Sequence, residues 1–276
     1  MAETILDILA DTARKRVAED QKEISPEEMK ARAFAMECVT DRERGFPVEQ
    51  ALRKPGISFI CEVKKASPSK GLIAKEFPYV EIAEAYEHAG AACISVLTEP
   101  SKFLGSDRYL QEITKKVQTP VLRKDFTVNA YQIYQAKVLG ASAVLLICAL
   151  LREETIKEYI GICDQLGLSA LVEAHDEEEI AMAVRAGARI IGVNNRNLKD
   201  FTVDVHNSER LRKLVPPEVL FVAESGIRTA DDIRVLQEAG VNGVLIGETL
   251  MKSPDKKAML DELRKGCEKG CDQTGR

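Results

Sequence analysis

The chain is 276 residues long, 45% hydrophobic and 30% charged, a composition that suits a packed globule and excludes disorder. Its formal net charge of -5 leaves no global positive field for nucleic acid or an anionic membrane. An anionic ligand must therefore be held by local groups.

The start of the chain carries Glu3 and Asp7 and lacks the basic and apolar regions of a signal peptide. The most apolar stretch, 141–151, is too short to span a bilayer, so the expectation is a cytoplasmic protein. Of the seven cysteines, Cys38, Cys61, Cys93, Cys148, Cys163, Cys267 and Cys271, several sit in apolar runs and none shows the paired spacing of a zinc site. A metal or disulfide role would fall on Cys267 and Cys271 alone.

In chain order, Ile5, Leu9, Ala13 and Val17 recur every four residues and predict a helix with a slanting apolar stripe. Ser25-Pro26-Glu27-Glu28 reads as the start of a second helix, with a serine cap and proline in the first turn. Residues 1–57 form a helical extension rather than a separate domain, since no linker rich in glycine or proline follows them.

Eight short apolar, β-branched runs then appear at 58–63, 92–97, 120–125, 143–149, 170–173, 189–193, 220–224 and 243–247. Between them lie helical segments at 79–88, 107–117, 130–139, 153–166, 177–186 and 230–239. Gly90, Gly140, Gly187 and Gly240 each stand between a helix and the next strand, and Gly167 does the same after 153–166. Glycine past a helix end adopts the left-handed cap without steric cost, so one strand–helix unit repeats. Eight such units in one chain predict a (β/α)8 TIM barrel with an N-terminal helical extension, a single domain over 1–276. An open doubly wound sheet shares this local grammar, but no Gly-x-Gly-x-x-Gly follows the first strand.

Barrel active sites use residues at the carboxyl ends of strands. Side chains alternate along a strand, so Glu62 and Lys64 share a face that Cys61 and Val63 do not. Lys124 and Phe126 go with Leu122 by the same parity. With Glu173, Asn194 and Glu224 from later strands, two lysines and three glutamates would converge at the mouth. A structural ion-pair ring is the competing reading, but buried charge is expensive unless it serves a function. The Ser225-Gly226 and Gly247-Glu248 turns after strands seven and eight each precede a helix start. That is where barrels commonly bind phosphate. His88 and His206 are expected to be solvated, and His175 is set aside in favour of Glu173.

Taken together, Glu62-Val63-Lys64-Lys65-Ala66-Ser67-Pro68-Ser69, Leu97-Thr98-Glu99, Phe103-Leu104-Gly105-Ser106, Lys124-Asp125-Phe126 and Leu171-Val172-Glu173 resemble the indole-3-glycerol-phosphate synthase family of tryptophan biosynthesis. Gly192-Val193-Asn194-Asn195-Arg196-Asn197-Leu198, Ala223-Glu224-Ser225-Gly226-Ile227 and Leu245-Ile246-Gly247-Glu248 extend the match over nearly the whole chain. The resemblance implies a carboxy-lyase acting on 1-(2-carboxyphenylamino)-1-deoxyribulose 5-phosphate, closing it to an indole with loss of carbon dioxide and water, without cofactor or metal. It implies that Lys124 is the general acid and that Lys64 binds the substrate carboxylate and serves in dehydration. Glu173 and Glu62 would supply the base and orient the lysines, and Asn194 and Glu224 would hydrogen-bond the reacting chain. Ser67, Ser225, Gly226, Gly247 and Glu248 would hold phosphate, with Arg196 among the binding residues, and Phe103, Phe126 and Leu145 would clasp the anthranilate ring. A Glu248 carboxylate beside phosphate would repel it, so its side chain is expected to face solvent. The implied partner is a small phosphorylated substrate. The protein would be a monomer or weak homo-oligomer, with association with other tryptophan-pathway enzymes left open. The rivals are a phosphoribosylanthranilate isomerase, whose strand-one cysteine has the wrong parity here, a Schiff-base aldolase, and a non-catalytic phosphosugar-binding barrel.

Overall fold

A computed structural model of the protein describes residues 4–36, 45–196 and 202–267. Cys38, Cys271 and the Asn197-Leu198 end of the strand-six motif lie outside the described residues. Strands β1 (Ser58–Val63), β2 (Cys93–Leu97), β3 (Val121–Lys124), β4 (Ala143–Ile147), β5 (Ser169–Ala174), β6 (Ile190–Asn194), β7 (Leu220–Glu224) and β8 (Gly243–Ile246) are all parallel. Each pairs with its chain neighbours, and β8 closes onto β1 with Ser58 opposite Gly243 and Phe59 opposite Val244. This is the (β/α)8 barrel, and a closed ring rules out the open doubly wound sheet.

The outer helices are α4 (Tyr79–His88), α5 (Asp107–Thr114), α6 (Ala130–Val138), α7 (Glu153–Leu166), α8 (Glu177–Arg185), α9 (His206–Arg212) and α10 (Ala230–Glu238). Helices α11 (Glu248–Lys252) and α12 (Lys256–Arg264) follow the last strand. The five capping glycines all have positive φ, from 68° at Gly167 to 88° at Gly140. Helix α5 falls furthest short of its sequence pattern: it ends at Thr114, and Lys115 and Lys116 form a turn.

Strand alternation separates two apolar layers. Phe59, Cys61, Val63, Ile94 and Val96 point outward to the helices, whereas Ile60, Cys93, Leu122, Leu145, Leu171, Val222 and Leu245 fill the interior. Helix α3 (Pro47–Leu52) closes the amino-terminal end, adding Val48 and Leu52 to that interior cluster. Gly243 makes room for it, since a Cβ there would sit 2.6 Å from Leu52 Cδ2. Buried Glu49 of α3 pairs with Arg189 Nη2 at 3.0 Å, just before β6.

The extension contributes α1 (Ile5–Glu23) and α2 (Pro26–Ala35). Leu9, Ala10, Ala13 and Val17 are buried, and a leucine or valine so placed contributes roughly 1.5–3 kcal/mol. Thr4 and Asp7 form a reciprocal capping box at the start of α1. At α2 the serine cap forms, with Ser25 Oγ accepting from the Glu28 N–H, but the Glu28 carboxylate turns to Arg32 at 2.5 Å.

Candidate active site

The interior layer turns polar at its carboxyl-terminal end, where a cavity of about 630 Å³ opens. Glu62, Lys64, Lys124, Glu173, Asn194 and Glu224 all line it, as strand parity requires. Lys64 Nζ lies 2.5 Å from Glu62 Oε2. Lys124 Nζ sits between Glu173 Oε2 at 3.2 Å and Glu224 Oε2 at 3.4 Å. The Asn194 amide donates to Glu173 Oε1 at 3.4 Å, and its Oδ1 accepts from the Arg196 N–H. The three carboxylates are at most 4% exposed.

Two glycines make this crowding feasible. A Cβ on Gly192 would collide with Glu224 Oε1, and one on Gly247 would collide with Glu62 Oε2 and lie 2.7 Å from Lys64 Nζ.

Burial and charge sort the ionisable groups. Burial alone would discharge Lys124, but Glu224, Glu173 and Glu62 outweigh it and hold its ammonium well above the ordinary lysine value. Burial likewise pushes Glu173 up, yet Lys124, His175 and hydrogen bonds from Lys124 and Asn194 bring it below the usual carboxylate value. Glu224 is pushed up to about 7, because burial and the nearby Glu173 and Glu62 charges exceed the pull of Lys124.

One side of the cavity is apolar. Phe103 and Phe126 bring their ring centroids to 6.1 Å, and Leu97, Leu145 and Ile147 lie below them. The Phe103 loop is built on buried Glu99, whose carboxylate accepts the N–H groups of Ser101, Lys102 and Phe103 at 2.7–2.9 Å. The sequence motif contained Glu99, but its role as a loop organiser rests on contacts only the fold reveals.

The opposite side is small and basic. Ser67, Ser225, Gly226, Gly247 and Glu248 line it together with Lys70, Arg228 and Lys252. Ser225 and Gly226 both have left-handed backbone, at φ 68° and 84°. Gly247 caps α11 directly, but Gly226 does not begin a helix: α10 starts at Ala230 with Thr229 as its cap. The turn after β7 is therefore a loop cradle ahead of the helix that the sequence pattern starts at Ala230. Glu248 is bound by Lys252 at 2.6 Å, with Lys70 at 4.0 Å, so its carboxylate is neutralised by side chains. Those lysines and its own hydrogen bonding outweigh burial and keep its pKa low.

Two contributors escaped the strand-end reading. Ile5, Leu6 and Leu9 of α1 line the cavity, so the extension forms part of its wall. His175, just past β5, lies with Nε2 3.4 Å from Glu173 Oε1. Its parity matches that of Glu173, and that signal was present in the sequence. Among the described residues no group of three or more His, Cys, Asp or Glu side chains is placed to hold a metal ion. His88 and His206 are exposed.

Known proteins resemble this chain at two levels, one of sequence family and one of fold. The family model described as indole-3-glycerol phosphate synthase matches residues 6–263. An indole-3-glycerol phosphate synthase of Ruminiclostridium cellulolyticum is 56% identical over 260 residues, covering 94% of this chain and 98% of the relative. One from Endomicrobium trichonymphae is 58% identical, covering 83% and 89%. Among solved structures, a thiamine phosphate pyrophosphorylase from Pyrococcus furiosus superposes with a TM-score of 0.56 at 20% identity, covering 76% of this chain and 95% of its own, a likeness of fold alone. A family match spanning extension and barrel alike, with relatives near full length, settles the lineage: this chain belongs to the indole-3-glycerol phosphate synthase family.

Proposed function

We propose that this cavity closes 1-(2-carboxyphenylamino)-1-deoxyribulose 5-phosphate to an indole, releasing carbon dioxide and water. The observation that carries the reading is the Lys124 ammonium held between two buried carboxylates, in a cavity that also has an aromatic wall and a basic cradle. Phe103, Phe126 and Leu145 take the anthranilate ring. Ser67 and the backbone N–H groups of Gly226, Gly247 and Glu248 take the phosphate, with Ser225 and Arg196 beside it. Fixing both ends presses the ring carbon against the ketone, which replaces a costly encounter by a preset geometry.

The ring carbon bearing the carboxylate attacks the ketone, and Lys124 gives its proton to the developing alkoxide. Proton donation of this kind is typically worth about 10²–10⁴-fold. Loss of carbon dioxide returns the electron pair to the benzene ring. The new hydroxyl then leaves as water with a proton from Lys64, while Glu173 takes the proton whose loss completes the indole. Glu62 orients Lys64, and Asn194 and Glu224 hydrogen-bond the chain. A Schiff-base route would need a neutral amine, and the carboxylates around Lys124 oppose that.

The chain contains no tryptophan, so indole fluorescence reads the product over a low protein background. Given the carboxyphenylamino substrate, the protein should produce that signal. Lys124→Ala should lose it, by at least about 10²-fold in kcat, while keeping its circular dichroism and its affinity for inorganic phosphate. Wild-type turnover in that variant would remove Lys124 as the acid.

A further inference from the structure

His175 stands behind Glu173 as seen from Lys124. Its Nδ1 is 3.0 Å from Glu179 Oε2, and its backbone N–H donates to that same oxygen at 2.8 Å. A carboxylate accepts, so Nδ1 carries a hydrogen. That leaves Nε2, which is buried, has no hydrogen-bond partner, and faces Glu173 Oε1 at 3.4 Å. A bare lone pair there would oppose a carboxylate oxygen across that gap, whereas an N–H would attract it.

We infer that His175 is a positioning residue, an imidazolium that braces Glu173 through Oε1 and so keeps Oε2 on the Lys124 ammonium. The inference rests on the proposed role of Glu173 in the ring closure. Burial acts against the imidazolium, but the Glu179 hydrogen bond and the Glu173, Glu179 and Glu224 charges carry its pKa above the ordinary value. The charged groups around it are Glu173 near the end of β5, Glu179 and Asp176 at the start of α8, Glu224 on β7, and Arg196 and Asp204 from the segments after β6. Around Glu173 they are Lys124, His175 and Glu224. The result is a line of alternating charge, Glu179, His175, Glu173, Lys124, running from a helix start into the site. Its function would be to keep the carboxylate ionised and fixed when substrate expels water.

Replacing His175 by a neutral side chain removes a positive charge from the Glu173 and Glu224 pair, whose shared titration sets the acid limb of kcat. In His175→Gln that limb should rise by about one pH unit, with kcat at pH values below the limb falling roughly tenfold and KM within about twofold. An unmoved or lowered limb, or a rise in KM with kcat intact, would overturn the inference. Glu173→Gln tests the underlying reading separately. If it is inactive while the His175→Gln limb stays put, only the role of His175 falls; if it turns over normally, Glu173 leaves the chemistry altogether. A folding failure of His175→Gln leaves a second measurement on the intact protein. Of its three histidines, the half-buried His175 should titrate above about 6.5 by NMR and drop in Glu173→Gln. A His175 ring that titrates below that value excludes the brace.

Discussion

Glu173 and Glu224 approach one ammonium from β5 and β7, yet their surroundings give them different protonation at neutral pH. Glu173 has His175 and Asn194 at its back, whereas Glu224 has neither and is raised to about 7. A carboxyl whose folded pKa exceeds its unfolded one contributes stability that is fully present below the unfolded value. It is lost as pH rises through the folded value. For Glu224 that window runs from the ordinary carboxylate value of 4.5 to about 7. Glu224→Gln should therefore raise Tm relative to the wild type more at pH 8 than at about pH 4, the gap corresponding to a few kcal/mol. Calorimetry at the two pH values checks this, and an equal offset at both would mean that Glu224 does not titrate as described. Stability given up at this position is what leaves a carboxyl group poised to exchange protons near neutrality.

Helix α1 is tied to the barrel by charge as well as by its apolar stripe. Arg16 Nη2 lies 2.5 Å from Asp125, which also receives Thr98 Oγ1 at 2.6 Å and Arg123 Nη2 at 3.2 Å. Asp125 stands between Lys124 and Phe126, so the extension grips the strand end that presents the proposed acid. Burial opposes its ionisation, but Arg123 and Arg16 hold its carboxyl below the usual range. Arg16→Ala should cost roughly 2 kcal/mol, less than a fully broken buried pair because Arg123 remains. Urea unfolding reads this, and a change within error would show the tie to be ornamental. The same helix marks where sequence reasoning stopped. Parity along β1 and β3 placed Glu62, Lys64 and Lys124 correctly, because alternation is a local property of a strand. That Leu6 and Leu9 would reach the mouth depends on how α1 packs over it, which no local pattern encodes. His175 was within reach, since it shares parity with Glu173. The cradle after β7 was legible as a turn ahead of the helix at Ala230, but the left-handed backbone of Ser225, a residue other than glycine, was not.

The molecule as a whole is one closed ring with its ends treated differently. Helix α3 and the Glu49–Arg189 pair seal the amino-terminal end, and the extension overlaps the working end. We propose that extension and barrel unfold together, because Arg16, Asp125 and the interior strands share one network. Scanning calorimetry should then show a single transition with matching calorimetric and van't Hoff enthalpies. A separate early transition would make the extension an independent unit. Among the described residues no helix is long and apolar enough to cross a membrane. Gly192 and Gly247 carry a consequence for how this protein tolerates change. Neither has a left-handed backbone, so an alanine could follow the chain path at both. What it could not do is share the space with Glu224 at one position or with Glu62 and Lys64 at the other. These two positions are vacancies kept for the chemistry, and drift that fills them would leave a protein that still folds but has lost its trade.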